Sequence, residues 1–535
     1  MLKKELEAVL KYCIRSTENG TRPFILVGIL LMGANFIPMI IFRPQYYSLG
    51  VVSVLFSGIV LFFYLIVKKG LPLRFIDKYW VQILAVLGFF YFIIFSSLSI
   101  IQFENYNGGD AIATFANCLW NTMHGKFMYS DIVGENHFNL HFSPIFMFFF
   151  IFYSVFKSPI VLLILQVLSI TVSIIPLTLI TRIYFQNYKA MSVLFALLFL
   201  FFPGIIANAF NGFHEVVFFP AFFLFALFFF LRESFIGFII FFICCLCIQE
   251  TILFAVVWFI FFGFLKKRTR RWIVIPALLI MLNFIMATTS IFRYLGSDYY
   301  LYLIGEQKVE SVIYDFKIKQ KIVYLYTLFS PVGFVFFTGS FFVFGILDLF
   351  KNILATVDVA FISRHHASVG SAAILLGCLQ FISFLYKRFN LKSFHLPVML
   401  AFVVLSSFPY WSKIVRLSDP YKKTKDKIVE LIKQESGVSV IAPEGITQHL
   451  SNRDFLLNIV FNSRQWEDVD FVVLDLNMRI PEKWRVVSTS QEEIYKSIKN
   501  NSKYKLLLDE NNHFIFKRTI PLVESDMVVD IPCQI

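Results

Sequence analysis

Apolar runs of spanning length recur along most of this chain, separated by short polar breaks. A run of about 20 apolar residues crosses a bilayer core as a helix. Runs near that length fall at 24–42, 50–67, 80–103, 159–181, 190–206, 217–231, 235–249, 251–265, 272–291, 322–337, 338–350, 369–386 and 393–410. The pattern predicts an all-α polytopic membrane protein with about thirteen spans. Two places depart from a simple alternation. The runs at 235–249 and 251–265 are short and meet at the polar pair Gln249–Glu250. Half-length helices with polar tips are tolerated at membrane depth only beside a cavity or inside protein. The segment 142–156 (FSPIFMFFFIFYSVF) is apolar but fifteen residues long. It is expected to lie at the interface rather than cross.

Beyond about residue 412 the pattern changes. Apolar runs shorten to strand length at 438–442, 471–476, 505–509 and 513–518, with amphipathic helical stretches at 421–434 and 491–499 between them. Strands alternating with helices predict a small α/β domain. The expected organisation is a charged N-terminus with two spans over 1–79, a membrane core over 80–411 containing a long outer loop at 104–158, and a soluble domain over 412–535.

Composition and charge fix the sidedness. The 535 residues are 58% hydrophobic and 16% charged, with 69 Phe, so lipid must replace water around much of the surface. The net charge of +13 arises from Lys and Arg in short loops, as in cytoplasmic membrane anchors, with no basic face and interleaved aromatics to follow nucleic acid. With the N-terminus in the cytoplasm and 142–156 not crossing, the run KKRTRR at 266–271 falls inside, as the positive-inside tendency demands. The C-terminal domain then lies outside a cell (cytoplasmic) membrane. The seven cysteines give no disulfide framework; Cys244, Cys245 and Cys247 sit inside an apolar run. The first helix reads as a retained anchor, since no A-x-A-like cleavage site precedes it. No P-loop, GxGxxG or HExxH is present, so no nucleotide cofactor is expected.

That topology collects the ionisable residues on one side. Asp110 follows Gly108–Gly109 and precedes a helical pattern closed by Gly125. It reads either as the N-cap of that helix or as a carboxylate at the lipid–water boundary that takes a proton from an acceptor hydroxyl. His137 and His141, four apart, would share a helix face and suit a divalent metal; facing water is the plainer role. His214–Glu215 breaks two apolar helices, and Glu250 sits between apolar flanks. Ionisable groups at such depth cost a few kcal/mol and usually face a pocket. Arg364, His365 and His366 precede another span and suit a phosphate at the membrane surface, or are ordinary juxtamembrane polarity.

LWNTMHG at 119–125, NHFNLHFSP at 136–144, FHE at 213–215, Gln249–Glu250, RHH at 364–366 and HLSNR at 449–453 together resemble the domain-of-unknown-function 2079 family of predicted multi-pass membrane proteins. The resemblance runs from about residue 100 to 480. That family is in turn similar to the GT-C class of membrane glycosyltransferases, whose hallmarks are an acidic residue in the first large outer loop, interfacial helices in that loop and often a soluble C-terminal domain. The resemblance implies a polyprenyl-phosphate sugar donor, an extracytoplasmic glycan, lipid or protein acceptor, Asp110 as catalytic base, and His214, Glu215, Glu250, Arg364, His365 and His366 as substrate contacts. Asp110 stands about one residue from its expected distance to LWN. The rival classes are a transporter or flippase, which intramembrane Glu250 also suits, and a non-catalytic scaffold, in which the polar groups would be dispersed.

Overall fold

The computed structural model describes residues 71–209, 212–292, 318–329, 332, 339–354, 367–389, 419–459, 463–478 and 490–519. The expected spans at 24–42, 50–67 and 393–410, part of 322–350, and the Arg364–His366 motif lie outside the described residues.

Long apolar stretches form α1 (Leu71–Glu104), kinked at Tyr79, the successive helices α4 (Ile160–Val172) and α5 (Ile174–Tyr184), α11 (Arg271–Phe292), which carries Pro276 within it, and α14 (Ala367–Phe389). Each contains a helical stretch long and apolar enough to cross a membrane core. Their faces differ in kind. On α1, Phe89, Phe90, Ile93 and Ile94 point outward and are exposed. Most of α14 is buried among its neighbours. A fold that leaves such apolar faces uncovered needs lipid around it. The chain is a membrane protein on this ground.

The remaining helices are shorter: α2 (Asp110–Met123), α3 (Phe146–Phe156), α6 (Ala190–Leu200), α7 (Pro203–Asn208), α8 (Phe219–Leu231), α9 (Phe235–Leu246), α10 (Trp258–Leu265), α12 (Ile318–Phe329) and α13 (Val343–Leu354). In α3, Phe146, Phe149 and Tyr153 are buried, while Ile151, Val155 and Phe156 are exposed. Its eleven residues span about 16 Å at 1.5 Å each, half of a bilayer core of about 30 Å. Its entry is tied to the α9–α10 connection by Ile145 N–H donating to Cys247 O, 2.8 Å. Lys157, in the left-handed region (φ 49°), ends it.

Helix α9 has twelve residues, about 18 Å. The chain turns at Gln249 into a 3-10 turn over Glu250–Ile252 and returns through Leu253–Val256 and α10. Both limbs start from a basic end. Arg268 of KKRTRR donates to Phe230 O (3.1 Å), pairs with Glu233 and stacks on Trp272. With that end at one membrane surface, the Gln249–Glu250 tip lies about 10 Å short of the other.

Residues 419–519 build around a five-stranded sheet of order β4-β3-β5-β7-β6, with β3 (Val440–Ala442), β4 (Leu456–Asn458), β5 (Phe471–Asp475), β6 (Tyr504–Glu510) and β7 (His513–Arg518). Strand β3 runs parallel to β4 and β5; β7 is antiparallel to β5 and β6. Helices α15 (Lys422–Lys433), α16 (Glu444–Leu450) and α17 (Gln491–Lys499) complete it. Strand β5 is buried along its whole length, as expected of a central strand covered on both faces. A separate two-stranded pairing, β1 (Tyr129–Ser130) with β2 (Glu135–Asn136), lies in the loop after α2.

Candidate functional site

Four separate segments meet under α2. The first is α2 itself. Gly109 (φ 84°) occupies its N-cap position and Asp110 is its first helical residue. This corrects the capping alternative for Asp110: the cap is the glycine, whose left-handed backbone a side chain would strain. At the far end, Lys126 N–H donates to Asn121 O (2.9 Å) and Gly125 N–H to Thr122 O (3.4 Å), the paired bonds of a glycine-terminated helix. Phe115, just over one turn from Asp110, meets the rings of His137 (5.4 Å) and His214 (5.9 Å) edge-on.

The second segment is a single helical turn, His137–Leu140, followed by His141. His137 is buried between Phe115 and Phe146, with no hydrogen-bond partner on Nε2 among the described residues. Burial, then the nearby His141, pull it down to about 3, so it is neutral. His141 behaves oppositely. Burial pulls it down, but the charge and hydrogen bond of Glu250 and the charge of Glu215 outweigh this, and it is held above the usual imidazole range.

The third segment is the α9–α10 tip. Glu250 Oε1 lies 3.0 Å from His141 Nδ1, and Phe142 N–H donates to Oε2, also at 3.0 Å. The carboxylate thus has a charged and a backbone donor, which fixes its plane. Gln249 Nε2 also lies 2.8 Å from His141 Nδ1. One ring nitrogen cannot both donate to a carboxylate and accept from an amide, so a protonated Nδ1 requires the Gln249 amide turned to offer its oxygen.

The fourth is the 212–218 loop. Glu215 is 3% exposed, and its Oε2 has no hydrogen-bond partner among the described residues. Gln166, buried in α4, shapes this loop: its amide donates to Asn208 O (2.8 Å) and Gly212 O (2.7 Å), and its oxygen accepts His214 N–H (2.8 Å). Gly212 (φ 74°) packs directly on Gly108, where a Cβ would sit 2.4 Å from Gly108 O. The loop carrying His214 and Glu215 is therefore pressed against the backbone that leads into Asp110.

An apolar groove of about 540 Å³ reaches this cluster from the side, between the returning limb and α11. Glu250 and Thr251 stand among Leu253, Val257, Ile280 and Phe284 on its wall.

The structure thus brings the Asp110 backbone, His137, His141, His214, Glu215 and Glu250 into one region. Among the described residues, no three His, Cys, Asp or Glu side chains stand close enough together to hold a metal ion. His141 Nδ1 faces Glu250 and Gln249, which leaves Nε2 as the nitrogen His141 could offer a metal. Two features escaped sequence reasoning. Gln166 was one polar residue inside a strong span. Asp348 and Lys351, ion-paired at 2.8 Å on α13, carry a buried carboxylate and a cation whose charge acts on His141. The signal was an i, i+3 charge pair within an apolar run.

The family model described as Predicted membrane protein (DUF2079) matches residues 110–515, and the chain belongs to that family. The match opens at Asp110 and takes in every segment of the cluster. No curated protein matches the chain.

Proposed function

We propose that this DUF2079 member is a GT-C-type membrane glycosyltransferase that moves a sugar from a polyprenyl-phosphate carrier to an extracytoplasmic acceptor. The observation that carries the reading is the convergence of His141, Glu215 and Glu250, from three separate segments, beneath the helix that Asp110 opens. Burying carboxylates in a membrane protein costs a few kcal/mol each, and a scaffold gains nothing by gathering them. Carboxylates, imidazoles and an amide suit the hydroxyls of a sugar, and the adjoining groove suits an isoprenoid chain.

In this mechanism the Asp110 carboxylate takes the acceptor hydroxyl proton as the oxygen attacks the sugar's anomeric carbon. The bond from that carbon to the carrier phosphate breaks, and the phosphate leaves with the electron pair. Glu215, Glu250 and His214 hold the sugar. Arg364, His365 and His366 offset the charge on the departing phosphate. The KKRTRR segment is at the opposite end of the α9–α10 pair from Glu250, so the positive-inside tendency supports an outward site. Nucleotide sugars are cytoplasmic, and an outward site therefore calls for a lipid-linked donor.

Organic extraction of the purified protein, followed by mass spectrometry, should recover a polyprenyl-phosphate sugar. Recovery of bulk phospholipid alone, with no transfer from added lipid-linked sugar, would overturn the proposal. The short limbs meeting at Glu250 are the feature that favours a transporter instead; substrate uptake without bond formation is the result that would establish it.

Sidedness has its own test. Cysteines placed at Lys126 and Ser158, before and after the interfacial α3, should react equally with a membrane-impermeant maleimide from outside the cell. Reaction from opposite sides would place α3 across the membrane and remove the outward site.

A further inference from the structure

The HLSNR motif at 449–453 lies in the C-terminal domain, and the mechanism above gives it no task. Its contacts are with the outer loop. Gln448, one residue earlier, accepts Gly108 N–H (3.1 Å) and donates to Phe103 O (2.9 Å). The His449 ring lies against Phe103 and Tyr106, with Nε2 3.0 Å from Phe103 O. Asn117 on α2 donates to Ser451 O (3.2 Å) and Arg453 O (3.0 Å). Asn452 accepts from Tyr153 OH and donates to Lys157 O (2.6 Å), at the end of α3. Six consecutive residues therefore hold the end of α1, the middle of α2 and the end of α3.

We infer that residues 448–453 form an intramolecular clamp by which the C-terminal domain positions Asp110, with Gln448 and Asn117 as its positioning residues. Three observations carry this. Tyr106, Ala113 and Ile132 of the loop belong to the same apolar core as Ile428, Ile446 and Leu450 of the domain. The domain and loop are thus one packed body. Gly108 is held on two sides: a Cβ there would meet Gln448 Oε1 at 2.5 Å, while Gly212 packs on its carbonyl. The residue two before Asp110 is fixed between the domain and the loop of His214 and Glu215. Finally, Asn117 and Phe115 are two residues apart, about 200° around a helix. One faces the domain and the other the histidines, so α2 transmits the domain's position to the cluster.

Only a carboxamide at 448 satisfies both backbone partners. Gln448→Glu keeps the acceptor for Gly108 N–H and loses the donor to Phe103 O. Gln448→Leu loses both.

Cys118, fully buried beside Asn117 on α2, reports the clamp without turnover. Maleimide modification at Cys118, followed by peptide mass spectrometry, should be at least about ten-fold faster in Gln448→Leu and Asn117→Ala, with Gln448→Glu between them and wild type, since freeing a local unit lowers its opening energy. Cys378, buried in α14, should keep its wild-type rate. Unchanged Cys118 protection in both strong variants overturns the clamp. So does parallel deprotection of Cys378 in Gln448→Glu, which would mean global loosening. The effect on chemistry rests on the transferase reading. There, Gln448→Glu should lower kcat about ten-fold while KM for the lipid donor stays within about two-fold, because misplacing a reacting group spares ground-state binding. Faster Cys118 labelling with no measurable transfer in any variant would leave the clamp standing and sink the transferase.

Discussion

Glu250→Gln is expected to cut sugar transfer by about 10²-fold or more, the usual consequence of losing a placed polar group at a reacting centre, while the protein still folds. A glutamine keeps an oxygen for Phe142 N–H but carries no charge to hold a proton on His141. The pH behaviour separates this from a packing defect. His141 is held above its ordinary value mainly by Glu250 against the pull of burial. A raised imidazole value contributes stability that is fully present below the unfolded value, about 6.5, and is lost as pH rises through the folded value. The His141 contribution to the melting temperature should therefore fall as pH rises past about 6.5, and the pH slope of Glu250→Gln should differ from that of wild type by the loss of that component. Glu250→Leu removes both bonds. Breaking a fully buried pair costs about 3–5 kcal/mol. Here the His141 side chain is 45% exposed and sheds its proton, so about 2 kcal/mol is expected. A thermal shift series across pH, run beside the transfer assay, checks both. An unchanged pH slope in Glu250→Gln would mean that the pair seen in the geometry does not form.

How much of this was legible from the chain depends on the distance over which the information is carried. Local period did well. The runs at 438–442, 471–476 and 513–518 contain strands β3, β5 and β7, 505–509 lies within β6, and 421–434 and 491–499 contain helices α15 and α17. Strand β4 was missed, although at three residues it is as long as β3; its place is set by its parallel pairing with β3. The break at Gln249–Glu250 was visible because a polar pair interrupts an apolar run. The 159–181 run is two helices meeting at Ser173, a join that Pro176 marks, since it cannot donate to the carbonyl of Val172. Partnerships were not legible. His141 and Glu250 are 109 positions apart, and Gly108 and Gln448 are 340. No spacing rule reaches that far, and only the side of the membrane could be argued. Polar residues that act by gripping backbone, such as Gln166 and Asn117, were passed over because a neutral amide disturbs hydropathy far less than a carboxylate does. The assignment of Asp110 as a cap failed for a local reason: two glycines precede it, and the second, with positive φ, takes the cap position itself.

That last detail sharpens the test of Asp110. Asp110→Asn should abolish transfer, by about 10²–10⁴-fold, the range for a lost general base, with expression and lipid-donor binding close to wild type. Were the residue the helix cap, asparagine would cap about as well, and both stability and turnover would stay near wild type. With Gly109 as the cap, the structural cost of the amide reduces to the attraction between a carboxylate and the helix N-terminus, about 0.3–1 kcal/mol and screened by salt. An amide keeps the shape and the hydrogen-bonding reach but cannot take the proton. The two roles therefore separate cleanly in one pair of measurements, turnover and melting temperature. Loss of turnover with a melting temperature within about 1 °C, a shift corresponding to about 1 kcal/mol in a chain of this size, places the chemistry at Asp110. Turnover within a few-fold of wild type would move the base elsewhere. Glu215 is then the first alternative: it is a buried carboxylate with one oxygen unbonded, on the loop that packs against the backbone leading to Asp110. Glu215→Gln would in that case show the loss that Asp110→Asn does not.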